Sequence, residues 1–270
     1  MLEFTDKLVI AAGIFGVAFS MSGCKQSEID CVAGNKQPES CDLYTAVGTE
    51  SSPMENDVII MGDSLWDLGS PYGAIPLNLI ERSKKTYLEL ARSGAHTNYI
   101  RDIEIPKIPN YNGQGLDPDP TVKTIIVNGG ANNLKEPCKV DLENNINVDE
   151  GTYSTACTDA FTVAVTEAEE IISLLSAIDS VENIVWTGPQ YFPVSVVSEN
   201  LIDKTVGELS SLCSDDLTEK CTYVDLTQAP MWGPDDASIY LYDDIHVNVA
   251  GAELIGGQVW SILESIGAYR

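Results

Sequence analysis

Short apolar runs that suit buried strands alternate along this chain with longer segments whose apolar residues recur at helical spacing. This alternation restricts the fold more than any other feature. Residues 58–61 (VIIM) form an apolar run ending at a glycine. Residues 86–91 read as a second strand, 122–127 as a third rich in β-branched residues, 183–187 as a fourth and 221–226 as a fifth. Residues 159–177, 195–212 and 250–266 carry helix-spaced apolar positions. Such alternation predicts an α/β domain with a mainly parallel five-stranded sheet and helices on both faces. In sheets of this kind ligands sit at the carboxyl ends of the strands, so residues directly following a strand are the first place to seek chemistry. No internal repeat is present. Residues 141–151 (DLENNINVDEG) are polar and turn-rich and read as an insert loop between Cys138 and Cys157.

The N-terminus sets which residues belong to that domain. Residues 8–20 (LVIAAGIFGVAFS) are uninterruptedly apolar or small. They are too few for a bilayer span, which takes ~20 apolar residues, but suit the hydrophobic region of a signal peptide. Met21-Ser22-Gly23-Cys24 follows and resembles a bacterial lipobox, in which a cysteine after small residues receives lipid. Glu3 and Asp6 offset Lys7, where a signal peptide usually carries net positive charge; the competing reading is a buried N-terminal helix. The expected organisation is a signal peptide over 1–23, lipidation at Cys24, a polar tether over 24–55 and one α/β domain over 56–270. A lipid anchor of this kind places the protein in the bacterial cell envelope, on the periplasmic face of the outer membrane or the cell surface.

Cysteine usage agrees with export. Of seven cysteines, six remain after Cys24 is set aside, and an even number in an exported chain suggests disulfides. They fall into three couples close in sequence, predicting Cys31–Cys41, Cys138–Cys157 and Cys213–Cys221. A zinc site is disfavoured, because the chain has no CxxC pair and only two histidines. The net charge of −26 opposes binding to nucleic acid or anionic membrane surfaces and favours solubility; a monomer is expected. Asp117 with Asp119, or Asp235 with Asp236, offers oxygen ligands for calcium, but without EF-hand spacing.

Ser64 follows the first strand in Gly62-Asp63-Ser64-Leu65, which puts a hydroxyl where active sites form. Asp63 and Ser64 also suit a helix cap. A nucleophilic serine needs a base, usually histidine. His246 lies in Asp243-Asp244-Ile245-His246, where a carboxylate three residues upstream can fold back onto the ring and fix its tautomer. His96, the alternative, has no carboxylate nearby and could instead line the site or start a helix. Donors for a developing oxyanion could come from Asn132, in Gly129-Gly130-Ala131-Asn132-Asn133 after the third strand, and from the Gly94 N–H after the second. Either segment could equally be a plain strand-to-helix turn.

These four blocks, spread over roughly residues 57–266, resemble those of the SGNH (GDSL-type) hydrolases. Gly62-Asp63-Ser64 matches the nucleophile block, Gly94 the glycine of the second, and Asp243-x-x-His246 the last. Gly130-Ala131-Asn132-Asn133 resembles the third with Asn133 in place of an aspartate. Val185-Trp186-Thr187-Gly188-Pro189 is similar to the family's fourth strand and following turn, whereas Trp66 and Asp67 depart from its usual pattern. The resemblance implies a three-layer α/β/α, flavodoxin-like sandwich and a serine esterase without cofactor. In that scheme Ser64 is the nucleophile, His246 the base and Asp243 its orienter. The N–H groups of Ser64 and Gly94 and the amide of Asn132 form the oxyanion hole. The implied partner is a small ester, of a lipid or an acylated glycan. An α/β-hydrolase would need a Gly-x-Ser-x-Gly elbow around its serine, which Ser64 lacks. The rival from another class is a catalytically silent module of the same fold that binds envelope glycan.

Overall fold

The computed structural model describes residues 58–69, 73–85, 87–108, 122–143, 152–190, 199–214, 219–229, 237–243 and 245–268. The expected signal peptide, Cys24, the tether and the Cys31–Cys41 pair lie outside the described residues, as do Asp117, Asp119, Asp235 and Asp236. Five strands form one sheet in the order β2-β1-β3-β4-β5: β1 Val58–Met61, β2 Tyr87–Glu89, β3 Thr124–Asn128, β4 Asn183–Thr187 and β5 Cys221–Val224. Every pairing is parallel. The helices are α1 Ala74–Ser83, α2 Thr97–Tyr99, α3 Ala131–Glu143, α4 Thr155–Ser176, α5 Glu199–Ser214, α6 Ala237–Tyr240 and α7 Val249–Ser265. From α2 the chain continues through a π-turn, Ile100–Glu104, into a 3₁₀ turn, Ile105–Lys107.

All four residues of β1 and all five of β3 are buried, because the sheet is covered on both sides. Alternate side chains serve opposite layers. Val58, Ile60, Ile126, Val185 and Val224 pack with Leu79 of α1 and Ile255 and Val259 of α7. Ile59, Met61, Ile125, Val127, Ile184 and Trp186 pack with Ile171, Ile172 and Leu175 of α4 and with Ile100 and Ile105. The fold is thus the expected three-layer α/β/α sandwich.

The strand order also locates the crevice. The chain leaves β1 toward β2 on one side, then returns across to β3 on the other, so the connections after β1 and β3 diverge. The carboxyl ends of these two strands flank a topological switch point, where ligands of doubly wound sheets bind.

Two expectations need correction. The insert loop does not begin at residue 141, because α3 runs on to Glu143. Pro137 disguises this helix in the sequence, since proline removes an internal hydrogen bond. Its end is held instead by the Asp141 carboxylate, which accepts the Ser154 N–H at 2.8 Å, and by the Cys138–Cys157 disulfide. The helix expected from residue 159 begins four residues earlier, at Thr155, where Ser154 caps it by accepting the Cys157 N–H at 3.2 Å. The Cys213–Cys221 disulfide joins α5 to β5.

Candidate active site

At the end of β1 the chain turns sharply at Gly62, whose φ is +130°. A Cβ there would stand 2.3 Å from the Asn128 carbonyl oxygen, so any side chain would push β1 and β3 apart. The turn that follows is closed locally: Asp63 accepts the Leu65 N–H on its carboxylate at 3.1 Å and the Trp66 N–H on its carbonyl at 3.1 Å. Burial pushes the Asp63 carboxyl up to about 6 against the Leu65 hydrogen bond. Asp63 therefore shapes the turn.

Ser64 Oγ stands 2.8 Å from His246 Nε2. The other ring nitrogen, Nδ1, lies 2.8 Å from Asp243 Oδ2 and 3.0 Å from Oδ1. Asp243 Oδ1 also accepts the main-chain N–H of Ile245 at 2.8 Å and of His246 at 2.7 Å. Partial burial alone would push the Asp243 carboxyl up, but these hydrogen bonds together hold it below the ordinary carboxylate range. Asp243 is thus ionised and locked onto the imidazole edge opposite the serine. His96, by contrast, sits exposed at the start of α2 and lines a separate cleft.

Asn132 stands in the first turn of α3 and lines one small cavity with Ser64, Leu65, Ala131, Gln190 and Ile245. One hydrogen of its amide goes to the Ala95 carbonyl at 3.0 Å, leaving the second for another acceptor. Asn133 faces away. Its Oδ1 accepts the Thr97 N–H at 3.0 Å and its Nδ2 donates to Thr97 Oγ1 at 2.8 Å, which fixes the start of α2. Gly94, with φ +79°, lies in the exposed turn after β2 and lines a second cleft with Arg92, His96 and Tyr99. The main-chain N–H groups of Ser64 and Gly94 make no main-chain hydrogen bond among the described residues.

Four supports escape a reading of the sequence. Glu104, fully buried on the π-turn, accepts the Gly62 N–H at 2.8 Å. Burial pushes the carboxyls of Glu104 and of neighbouring Glu89 up to about 8. Trp66, also fully buried, donates its indole N–H to Thr187 Oγ1 at 3.0 Å. Asp67 accepts the Ser93 N–H at 2.7 Å. Gln190, just beyond β4, donates its amide to the Ile245 carbonyl, next to His246. Thr187 lies within the Val185–Pro189 segment, and Trp66 and Asp67 stood out in the sequence only as departures from the family pattern.

No protein-family model matches the chain, and none of the curated proteins matches it in sequence. Solved structures do match in fold. A member of the lipolytic G-D-S-L family from Veillonella parvula superposes with a TM-score of 0.55 at 14% identity, covering 77% of this chain and 97% of that one. A lipase/acylhydrolase from Enterococcus faecalis gives 0.52 at 14% identity, over 78% and 96% of the two chains. An active-site mutant of a family two carbohydrate esterase from Clostridium thermocellum gives 0.52 at 14% identity, over 82% and 66%. The chain has the α/β fold of the GDSL (SGNH) hydrolases.

Proposed function

We propose that this chain is a serine esterase of the SGNH type, hydrolysing acyl or acetyl esters of lipids or glycans through an acyl-enzyme on Ser64. The observation that carries this reading is the unbroken line of contacts from Ser64 Oγ through His246 to Asp243. As Oγ attacks the ester carbonyl carbon, His246 Nε2 takes its proton. Asp243 holds the proton on Nδ1 and stabilises the imidazolium that forms. The carbonyl oxygen becomes an oxyanion and calls for donors already in place. Those on offer are the N–H groups of Ser64 and Gly94 and the second amide hydrogen of Asn132, at the positive end of α3. Collapse of this intermediate expels the alcohol, which takes the proton from His246. Water then attacks the acyl-enzyme with His246 again as base, releasing the acid and restoring Ser64. No metal or organic cofactor takes part. That structures of like fold are described as lipases and as a carbohydrate esterase supports esters as the substrate class, with both lipid and glycan alcohols in scope.

The decisive experiment is labelling with a fluorophosphonate probe. Wild-type protein should be labelled and Ser64→Ala should not. Failure to label the wild type would sink the esterase reading and favour a silent glycan-binding module.

The lipobox-like Met21–Cys24 stretch and the six remaining cysteines support export and lipidation at Cys24, with an envelope location. Wild-type protein should partition into detergent, and Cys24→Ser should stay uncleaved or leave the membrane fraction. Equal partitioning of the two forms would remove the lipoprotein assignment.

A further inference from the structure

Of the three oxyanion donors named above, the Gly94 N–H has the least evident support. Ser64 N–H belongs to a buried turn, and Asn132 belongs to a helix. Gly94 is exposed, takes a positive φ, and has no neighbouring atom within 4 Å of where a Cβ would stand, so packing does not fix it. Hydrogen bonds must do so. On the far side of the turn, the Ala95 N–H closes onto the Arg92 carbonyl at 3.0 Å, and the Ala95 carbonyl accepts from Asn132. On the near side, the Arg92 N–H reaches the Gly62 carbonyl at 2.8 Å, extending the β1–β2 ladder past its last paired residues. Ser93, whose carbonyl carbon carries the Gly94 nitrogen, points its own N–H at Asp67 Oδ2, 2.7 Å away. The other oxygen of Asp67, Oδ1, accepts the Gly69 N–H at 3.0 Å, so the carboxylate is itself oriented within the nucleophile turn.

We infer that Asp67 is a positioning residue for the oxyanion hole: its carboxylate ties the Ser93–Gly94 peptide to the turn bearing Ser64, so that two donors from different loops address one oxyanion. This rests on the esterase reading. A hydrogen bond from a main-chain N–H to a carboxylate is roughly twice as strong as one between neutral groups, which suits it to holding an exposed turn. Asp67 bonds the main-chain N–H groups of Ser93 and Gly69. It acts through the direction of the Gly94 N–H, where displacements of ~1 Å can change rates by ~10²-fold.

The test compares wild type, Asp67→Ala and Asp67→Asn on p-nitrophenyl acetate, together with a trifluoromethyl ketone whose adduct with Ser64 carries an oxyanion. Asp67→Ala should lose ~10–100-fold in kcat with KM within about threefold, less than the ~10²–10³ typical of removing a donor outright. Asp67→Asn keeps one acceptor oxygen for Ser93 and should recover part of the loss. Affinity for the trifluoromethyl ketone should fall in step with kcat/KM across the three proteins, while fluorophosphonate still labels Ser64 in all of them. A change confined to melting temperature, with kcat within twofold of wild type, overturns the inference. So does a kcat loss without weaker ketone binding, which would place the effect on the nucleophile. If Asp67→Ala does not fold, the same criteria apply to Asp67→Asn. A wild type that neither labels nor hydrolyses removes the esterase reading and this inference with it, whereas an active wild type with an indifferent Asp67 removes only the inference.

Discussion

The turn that carries Ser64 and the loop that carries His246 meet through a 2.8 Å contact, yet they are held in different ways. The nucleophile turn is built into the core. Met61 and Trp66 are fully buried, and its supports come from Glu104, 42 residues away, and from Thr187, 121 residues from the Trp66 that it holds. The base loop is almost self-contained. Leu241 bridges Val247, the Tyr242 N–H meets the His246 carbonyl at 2.8 Å, and Asp243 bonds residues two and three positions on. Asn248 completes it: Oδ1 caps α7 through Ala250 and Gly251, and Nδ2 reaches back to the Ile239 carbonyl. Tyr242, beside Asp243, is 66% exposed. Ser64 is held by distant parts of the fold, whereas His246 is held by bonds within its own loop and by Gln190 against Ile245.

The largest effects should come from cutting the contact between the two regions. Ser64→Ala and His246→Ala should each lower kcat by several orders of magnitude, ~10⁶ for triads that act as a unit, with melting temperature little changed. The double variant should be no worse than either single one. A His246→Ala protein that keeps more than a tenth of wild-type activity would mean that another group is the base.

Next come the adjacent asparagines, which sort by the same division between chemistry and framework. Asn132 lines the cavity at Ser64 and is the proposed side-chain donor, so Asn132→Ala should lose ~10²–10³ in kcat with near-normal KM. Asn133 is buried and spends its amide on Thr97 at the start of α2. Asn133→Ala should therefore lower the melting temperature and leave most of kcat, because it strands the Thr97 N–H, at a typical ~1–3 kcal/mol. If kcat falls further for Asn133→Ala than for Asn132→Ala, the donor in this block has been misplaced by one residue.

The same contrast explains what could be read from the sequence. Asp243-x-x-His246 is legible because its hydrogen bonds span two or three residues, so spacing encodes them. The strands are legible because burial on both faces writes them as unbroken apolar runs such as VIIM. Glu104 looks like an ordinary surface carboxylate in the sequence, and Asp67 stands out only as a departure from the family pattern. Their partners are main-chain N–H groups of Gly62 and Ser93, which carry no residue-type signal and are brought near only by the sheet order. Helix α3 was hidden for a related reason, since Pro137 argues locally against the helix that a disulfide and Asp141 secure from a distance.

The smallest effect separates the two regions by pH. Glu104 is fully buried with its carboxyl pushed up to about 8, from an ordinary value of 4.5. The folded state therefore binds a proton that the unfolded chain releases between those values. Stability from this group is fully present below about pH 4.5 and is lost as pH rises through about 8. Glu89, also raised to about 8, adds a contribution of the same sign. Asp243 works in the opposite direction. Its carboxyl is held below the usual 3.8, so its contribution is present above that value and is lost only as pH falls below it. The two windows do not overlap. Between pH 5 and 8, the nucleophile side should thus lose stability with rising pH while the base loop stays indifferent. Glu104→Gln keeps an acceptor for the Gly62 N–H but removes the titration. Its melting temperature should fall less steeply than that of wild type over this range, while Asp243→Asn should keep the wild-type slope. Parallel melting curves for wild type and Glu104→Gln would show that Glu104 is already ionised in the folded protein, and that the nucleophile turn is held by a charge rather than by a buried neutral acid.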